Sequence, residues 1–179
     1  MTSPSDRYSG PAIAAHWLIA LLILAAFPLG LYMADLPLSP TKLKLFSYHK
    51  WIGMTVLLLF LPRILWRITH RPPEALPMPA WQHRIAELTH LALYVLMFAV
   101  PLSGWLMSSA KGFQVVYFGV LPIPDLIPKN PELGDVLEEL HEALNWALFG
   151  LVGLHVAGAL KHHVIDRDGT VRRMLPFGK

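Results

Sequence analysis

The stretch HEALNWALFGLVGLH, residues 141–155, places a histidine at each end of a mostly apolar run with helical character. His141 and His155 are 14 residues apart, a helix rise of roughly 21 Å, about two-thirds of a bilayer. At about 100° per residue, such a separation returns to within roughly 40° of its starting direction. One helix therefore offers two imidazoles on nearly one face, one toward each side of a membrane.

The surrounding sequence has the composition of a membrane protein. Of 179 residues, 54% are hydrophobic and only 15% charged, where a soluble domain usually carries about 25% charged residues. No Asp, Glu, Lys or Arg occurs from Tyr8 to Ala34, from Leu88 to Ala110, or from Ala143 to Leu160. A fourth span, Leu45 to Trp66, crosses if Lys50 and Arg63 lie toward its ends, where long basic side chains snorkel. These windows predict an all-α membrane protein, a four-helix bundle forming a single domain over 1–179, with helices at about 12–34, 44–69, 82–109 and 135–163. The first is too long for a signal peptide and lacks its basic start and small-residue cleavage site, so it is read as structure. There are no internal repeats. The Pro-rich connection 70–81 reads as a stiff linker. The long connection 111–134 is the one segment able to form a small cap, with an aromatic-rich interfacial element over 112–121.

Cysteine is absent, which excludes disulfides, iron–sulfur clusters and thiolate metal sites. The net charge of +3 does not point to nucleic acid, because topology accounts for the basic residues. Ten of them (Arg7, Arg63, Arg67, Arg71, Arg84, Lys161, Arg167, Arg172, Arg173 and Lys179) fall on the side of the termini and the second connection; five (Lys42, Lys44, Lys50, Lys111 and Lys129) fall on the other. The positive-inside rule then places both termini in the cytoplasm. The opposite face is acidic around the fourth helix, through Glu132, Asp135, Glu138, Glu139 and Glu142.

This topology gives each histidine a depth. His16 in helix 1 and His155 in helix 4 lie toward the inner side; His49 in helix 2 and His141 lie toward the outer side. An ionisable group inside hydrocarbon is costly and marks function by default. A neutral imidazole is a strong ligand for iron, and two haems stacked across the bilayer, each held by two histidines at one depth, need this constellation. Gly53 and Gly158, on the faces of His49 and His155, would leave room for a macrocycle. Satisfied core histidines are the bland alternative for any one of these positions. A zinc site is disfavoured, because its ligands must converge within a few ångströms.

Other polar residues leave alternatives open. His90 in helix 3 competes with His16 as partner of His155, or serves as a quinone-site group, a proton carrier or a core hydrogen-bonding residue. His162 is interfacial, or contacts a quinone or a haem propionate. His70 and His83 flank the Pro-rich connection and read as solvated. Arg63 and Arg67, four apart on one face, anchor the inner surface or pair with inner propionates. Trp17, Trp51, Trp66, Trp81 and Trp105 read as interfacial belt residues.

The motifs Ala15-His16-Trp17, Tyr48-His49-Lys50, Glu139-Leu140-His141-Glu142, Gly153-Leu154-His155 and Leu160-Lys161-His162-His163, with Arg63-x-x-x-Arg67 and Thr89-His90-Leu91, resemble the bacterial cytochrome b561 family over essentially the whole chain. The resemblance implies a multi-pass protein of the bacterial inner membrane with two b-type haems. Their axial ligands are His16, His49, His141 and His155, paired as His16/His155 and His49/His141. One branch of this family is superoxide oxidase, an oxidoreductase that passes electrons from superoxide to ubiquinone. Other members are haem-bearing subunits that dock a dehydrogenase or hydrogenase. A haem-free transporter using the histidines as a proton relay is the remote alternative, for which no inverted repeat is visible. Lipid, a quinone, and superoxide or a redox protein are thus the expected partners.

Overall fold

The computed structural model describes residues 7–177: four long helices, a small hairpin and a C-terminal turn. Helices α1 (Gly10–Asp35), α2 (Pro40–Thr69), α3 (Ala80–Ala110) and α4 (Pro131–Leu160) are each long and apolar enough to cross a membrane. Two of them, α2 and α4, begin four residues ahead of the starts expected at about 44 and 135, for a local reason. Ser39 accepts a hydrogen bond from the Lys42 amide at 3.2 Å, and Asn130 accepts one from the Leu133 amide at 3.1 Å. Proline follows each of these caps at the first helical position, where a missing N–H costs nothing. Hydropathy detects the apolar part of a helix, whereas the cap decides where it starts.

The far end of the fourth helix differs from the expected boundary at 163. Regular α-helix stops at Leu160, and a wider π-helical turn runs over Lys161–Asp166. It ends at Arg167 in a left-handed conformation, with φ of 53°. The carboxylates of Asp166 and Asp168 draw the chain inward. Lys161 pairs with Asp166 at 2.6 Å, and His162 Nδ1 meets Asp168 at 2.8 Å and Asp166 at 3.1 Å.

Each helix packs against its neighbour in sequence, α1 on α2, α2 on α3 and α3 on α4, the order of an up-and-down bundle. Two buried apolar clusters lie at mid-depth, Ile19 with Val56 and Met97, and beside it Leu96 with Val100 and Leu148. Most other large apolar side chains, such as Leu21, Leu58 and Val95, face outward. That suits lipid as solvent, because hydrocarbon accepts them without cost while the helical backbone satisfies itself. Pro28, Pro62 and Pro101 sit within the helices, as membrane helices tolerate.

The two ends of the bundle are closed differently. At one end the connection 111–130 forms the antiparallel hairpin β1 (Val116–Tyr117) and β2 (Leu121–Pro122). Its turn holds Phe118 and Gly119 at φ of 50° and 72°; glycine adopts this freely, while Phe118 is held by packing on Trp51, ring centroids 5.3 Å apart. The Trp51 indole N–H donates to the Val116 carbonyl at 2.7 Å, and Trp105 donates to Pro124 at 3.1 Å. These tryptophans, expected as belt residues, therefore also fasten the cap. Lys111 is clamped by Glu138 and by Asp135 at 3.2 Å, and the hydrogen bond it donates to Glu138 raises its pKa above the usual lysine value.

At the other end the C-terminal segment laps over the start of α1. Trp17 donates to the Met174 carbonyl at 2.7 Å, and the Tyr8 amide donates to Arg173 at 3.3 Å. Burial alone would push the Asp168 carboxyl up, but hydrogen bonds from the Thr170 side chain and amide and from His162 hold it below its ordinary value of 3.8. A depressed carboxyl contributes stability that is present above the ordinary value and lost as pH falls through the depressed one. The turn over 166–170 is thus expected to open below about pH 4, and Asp168→Asn to open it at every pH. Hydrogen exchange at the Thr170 amide, followed from neutral to acid pH in both proteins, checks this.

Candidate functional site

The four sequence-predicted histidines come together as two pairs at opposite ends of the bundle interior, and both pairs join α4 to the α1–α2 hairpin. At the hairpin end, His49 of α2 faces His141 of α4, with ring centroids 6.3 Å apart. At the termini end, His16 of α1 faces His155 of α4 at 6.1 Å. Two imidazoles bound to one iron at about 2 Å each stand with centroids roughly 6 Å apart. Both pairs meet that spacing.

The hydrogen bonds at the hairpin end fix which nitrogen is free. His49 Nδ1 lies 3.1 Å from the Ala26 carbonyl, which only accepts, so Nδ1 carries the proton. His141 Nδ1 lies 3.0 Å from the Val100 carbonyl and 2.9 Å from Ser103 Oγ. Ser103 donates its own proton to Val100 at 2.8 Å, so it too accepts from the imidazole. Both Nε2 lone pairs are then available to a metal, the arrangement that a ligating histidine requires. The two rings border an almost entirely apolar cavity, lined also by Gly53, Pro101, Asn145 and Phe149, the kind of lining that an apolar cofactor takes.

The termini-end pair has a charged neighbour instead. Arg63 Nη2 approaches His16 Nδ1 at 3.3 Å, and its guanidinium lies 5.4 Å from the Tyr94 ring centroid. Among the described residues Arg63 Nε is buried without a hydrogen-bond partner, an orphaned donor of the kind an anionic group such as a propionate would satisfy. His90 joins this cluster, its ring centroid 5.3 Å from that of His155. Arg67 is exposed one turn further on. The contacts of His162 are with Asp166 and Asp168, away from this cluster. His70 stacks on Trp66 at 3.7 Å and His83 pairs with Glu87 at 3.4 Å, both on the surface.

Sequence reasoning missed Gly30, Gly104, Ser103, Asn145 and Tyr94. A Cβ on Gly30 would stand 3.1 Å from His49 Cε1, and one on Gly104 would stand 2.9 Å from His141 Cε1. The signal was present in two short runs, Phe27-Pro28-Leu29-Gly30 and Val100-Pro101-Leu102-Ser103-Gly104, but only the fold shows what they oppose. At Gly53 a Cβ would meet nothing nearer than Pro101 Cβ at 4.0 Å, and at Gly158 nothing within 4 Å, consistent with the open faces expected there.

Four membrane-length helices with histidines facing one another across their interior define the class of membrane-embedded cytochromes. Residues 7–177 match the family model of prokaryotic cytochrome b561, and the chain belongs to that family of b-haem electron-transfer proteins. It is 37% identical to cytochrome b561 homolog 2 of Escherichia coli K12 over 176 residues, covering 97% of this chain and 94% of the relative. It is 30% identical to cytochrome b561 homolog 1 of the same organism, covering 97% and 99%. It is 29% identical to the probable superoxide oxidase CybB of Yersinia pestis, covering 95% and 96%.

Proposed function

We propose that this protein is a di-haem cytochrome of the inner membrane that takes electrons from superoxide at the hairpin end and delivers them to ubiquinone at the termini end. The observation that carries the reading is the pair of imidazole pairs, at 6.3 Å and 6.1 Å, set at two depths of one helix. His49 and His141 would hold one haem, each through Nε2, and His16 and His155 would hold the other. His90 stands closer to His155 than two ligands across one iron would, so it is a neighbour of that site rather than a ligand. The excess of basic residues at the termini end supports a cytoplasmic position for the termini.

A bound haem supplies a one-electron couple, and two protein ligands leave its iron no open position for oxygen. The chain does the rest. Superoxide gives up one electron and leaves as dioxygen; two such electrons and two protons convert ubiquinone to ubiquinol. Steering of an anion to the hairpin end falls to Lys42, Lys44 and Lys50, because the charge of Lys111 is taken by Glu138 and Asp135. Lys50 Nζ donates to the Phe113 carbonyl at 2.9 Å and so stands under the cap beside His49. At the other end Arg63 and Arg67 supply positive charge, and His90 and His162 are the imidazoles able to pass protons toward a reduced quinone.

A second reading, a haem-bearing subunit that docks a redox protein, draws on the hairpin tip. Val120 there is 83% exposed and Phe118 60% exposed, an apolar surface of the kind partners cover. A reduced-minus-oxidised spectrum of the purified protein, with haem counted per chain, separates these readings. Two b-haems reduced rapidly by superoxide and reoxidised by ubiquinone are expected. Two haems indifferent to superoxide would favour the docking subunit, and a colourless protein would overturn both.

A further inference from the structure

The hairpin-end histidines are held by the same device twice. In α1, the carbonyl of Ala26 takes the His49 Nδ1 proton at 3.1 Å, and Gly30 lies four residues on. In α3, the carbonyl of Val100 takes the His141 Nδ1 proton at 3.0 Å, and Gly104 lies four residues on. A proline, Pro28 or Pro101, falls between carbonyl and glycine in each case. The spacing has a physical reason. Residue i+4 sits directly above the carbonyl of residue i, and its Cα–Cβ bond tilts back toward the helix N-terminus, over that carbonyl. Any side chain there would occupy the path by which an imidazole reaches the oxygen. The carbonyl has two lone pairs and can serve the helix ladder and the imidazole together.

The termini-end pair lacks this arrangement among the described residues. Its neighbours are the Arg63 guanidinium and His90. The two ends thus differ in sign. An acceptor on Nδ1–H raises the basicity of a ligating imidazole and favours the oxidised metal. A buried cation favours the electron-rich state.

Resting on the di-haem reading above, we propose that Gly30 and Gly104, with the carbonyls of Ala26 and Val100, are positioning residues for His49 and His141. This clamp makes the hairpin-end haem the lower-potential one of the two. Electrons entering at the hairpin end then run downhill toward the termini end, a direction written into second contacts rather than into the ligands, which are all histidine.

The test is a potentiometric titration with low-temperature EPR of the full-length, haem-loaded protein. Fewer than two haems per chain in the unaltered protein would overturn the di-haem reading, and this proposal with it. With two present, the midpoint that vanishes in His141→Ala identifies the hairpin-end haem, and it is expected to be the lower. Gly104→Ala, whose Cβ would intrude to 2.9 Å of the imidazole, should lose or shift that haem's low-spin signal and leave the other intact. Gly30→Ala should do the same more weakly. Gly150→Ala, whose Cβ meets nothing within 4 Å, should change neither. Ser103→Ala keeps the backbone and sterics but removes one acceptor from His141, so it decides the matter if Gly104→Ala fails to accumulate: the lower midpoint should rise alone. A hairpin-end midpoint above the other would overturn the proposal. So would wild-type signals and midpoints in both Gly104→Ala and Ser103→Ala.

Discussion

His141→Ala is expected to halve the haem content of the purified protein, and His49→Ala to remove the same half. Each imidazole in the hairpin-end pair is the other's partner across 6.3 Å, and among the described residues no other histidine ring stacks on either of them. A low-spin haem that loses one of two protein ligands becomes a five-coordinate species, held on one side only, in an almost entirely apolar cavity. Loss during purification, or conversion to a high-spin spectrum, follows. His16→Ala and His155→Ala should remove the other half and leave the first untouched, since the two pairs sit at opposite ends of α4. His90→Ala should keep both haems. Its centroid stands 5.3 Å from that of His155, against 6.1 Å for His16, closer than two imidazoles on opposite faces of one haem would stand. Pyridine haemochrome assays of the five variants, with EPR of each, read this pattern directly. A haem lost in His90→Ala and retained in His16→Ala would reverse the pairing.

How much of this was legible in the sequence depends on the kind of interaction involved. The four spans were visible because lipid imposes a composition on a helix before any tertiary contact is made. The face and depth of His141 and His155 followed from helix geometry alone, and the matching depths of His16 and His49 from charge asymmetry. What stayed hidden was whatever one helix does to another. Gly30 and Gly104 look like ordinary membrane-helix glycines until α2 and α4 bring imidazoles against them. Ser103 gains meaning only from the 2.9 Å contact with His141. The π-helical turn at Lys161–Asp166 was hidden for a related reason: it depends on where Asp166 and Asp168 meet Lys161 and His162 in space. Hydropathy sees none of that. The cap was suspected from Gly and Pro content, but its fastening by Trp51 and Trp105 required knowing which indole N–H groups face its carbonyls.

Arg63→Gln is expected to retain both haems yet lower the midpoint of the termini-end one and slow quinone reduction. The side chain is largely enclosed between His16 and Tyr94, and its Nε has no hydrogen-bond partner. A cation is kept in such a place only if something anionic, or transiently electron-rich, repays its desolvation. A haem propionate and an added electron both qualify. At an effective dielectric of about 20, a unit charge several ångströms away is worth about 2 kcal/mol. That is about thirtyfold in the equilibrium for placing an electron at the neighbouring centre. Arg63→Lys keeps the charge but loses the planar fork and the Nε donor, so it should recover much of the midpoint without restoring the full rate. The two variants thereby separate charge from geometry. If anchoring at the lipid surface is all that Arg63 does, both should show wild-type midpoints and differ only in expression or thermal stability. Potentiometry of the two proteins against the unaltered one decides this, because a surface anchor has no means of moving a redox potential in the bundle interior.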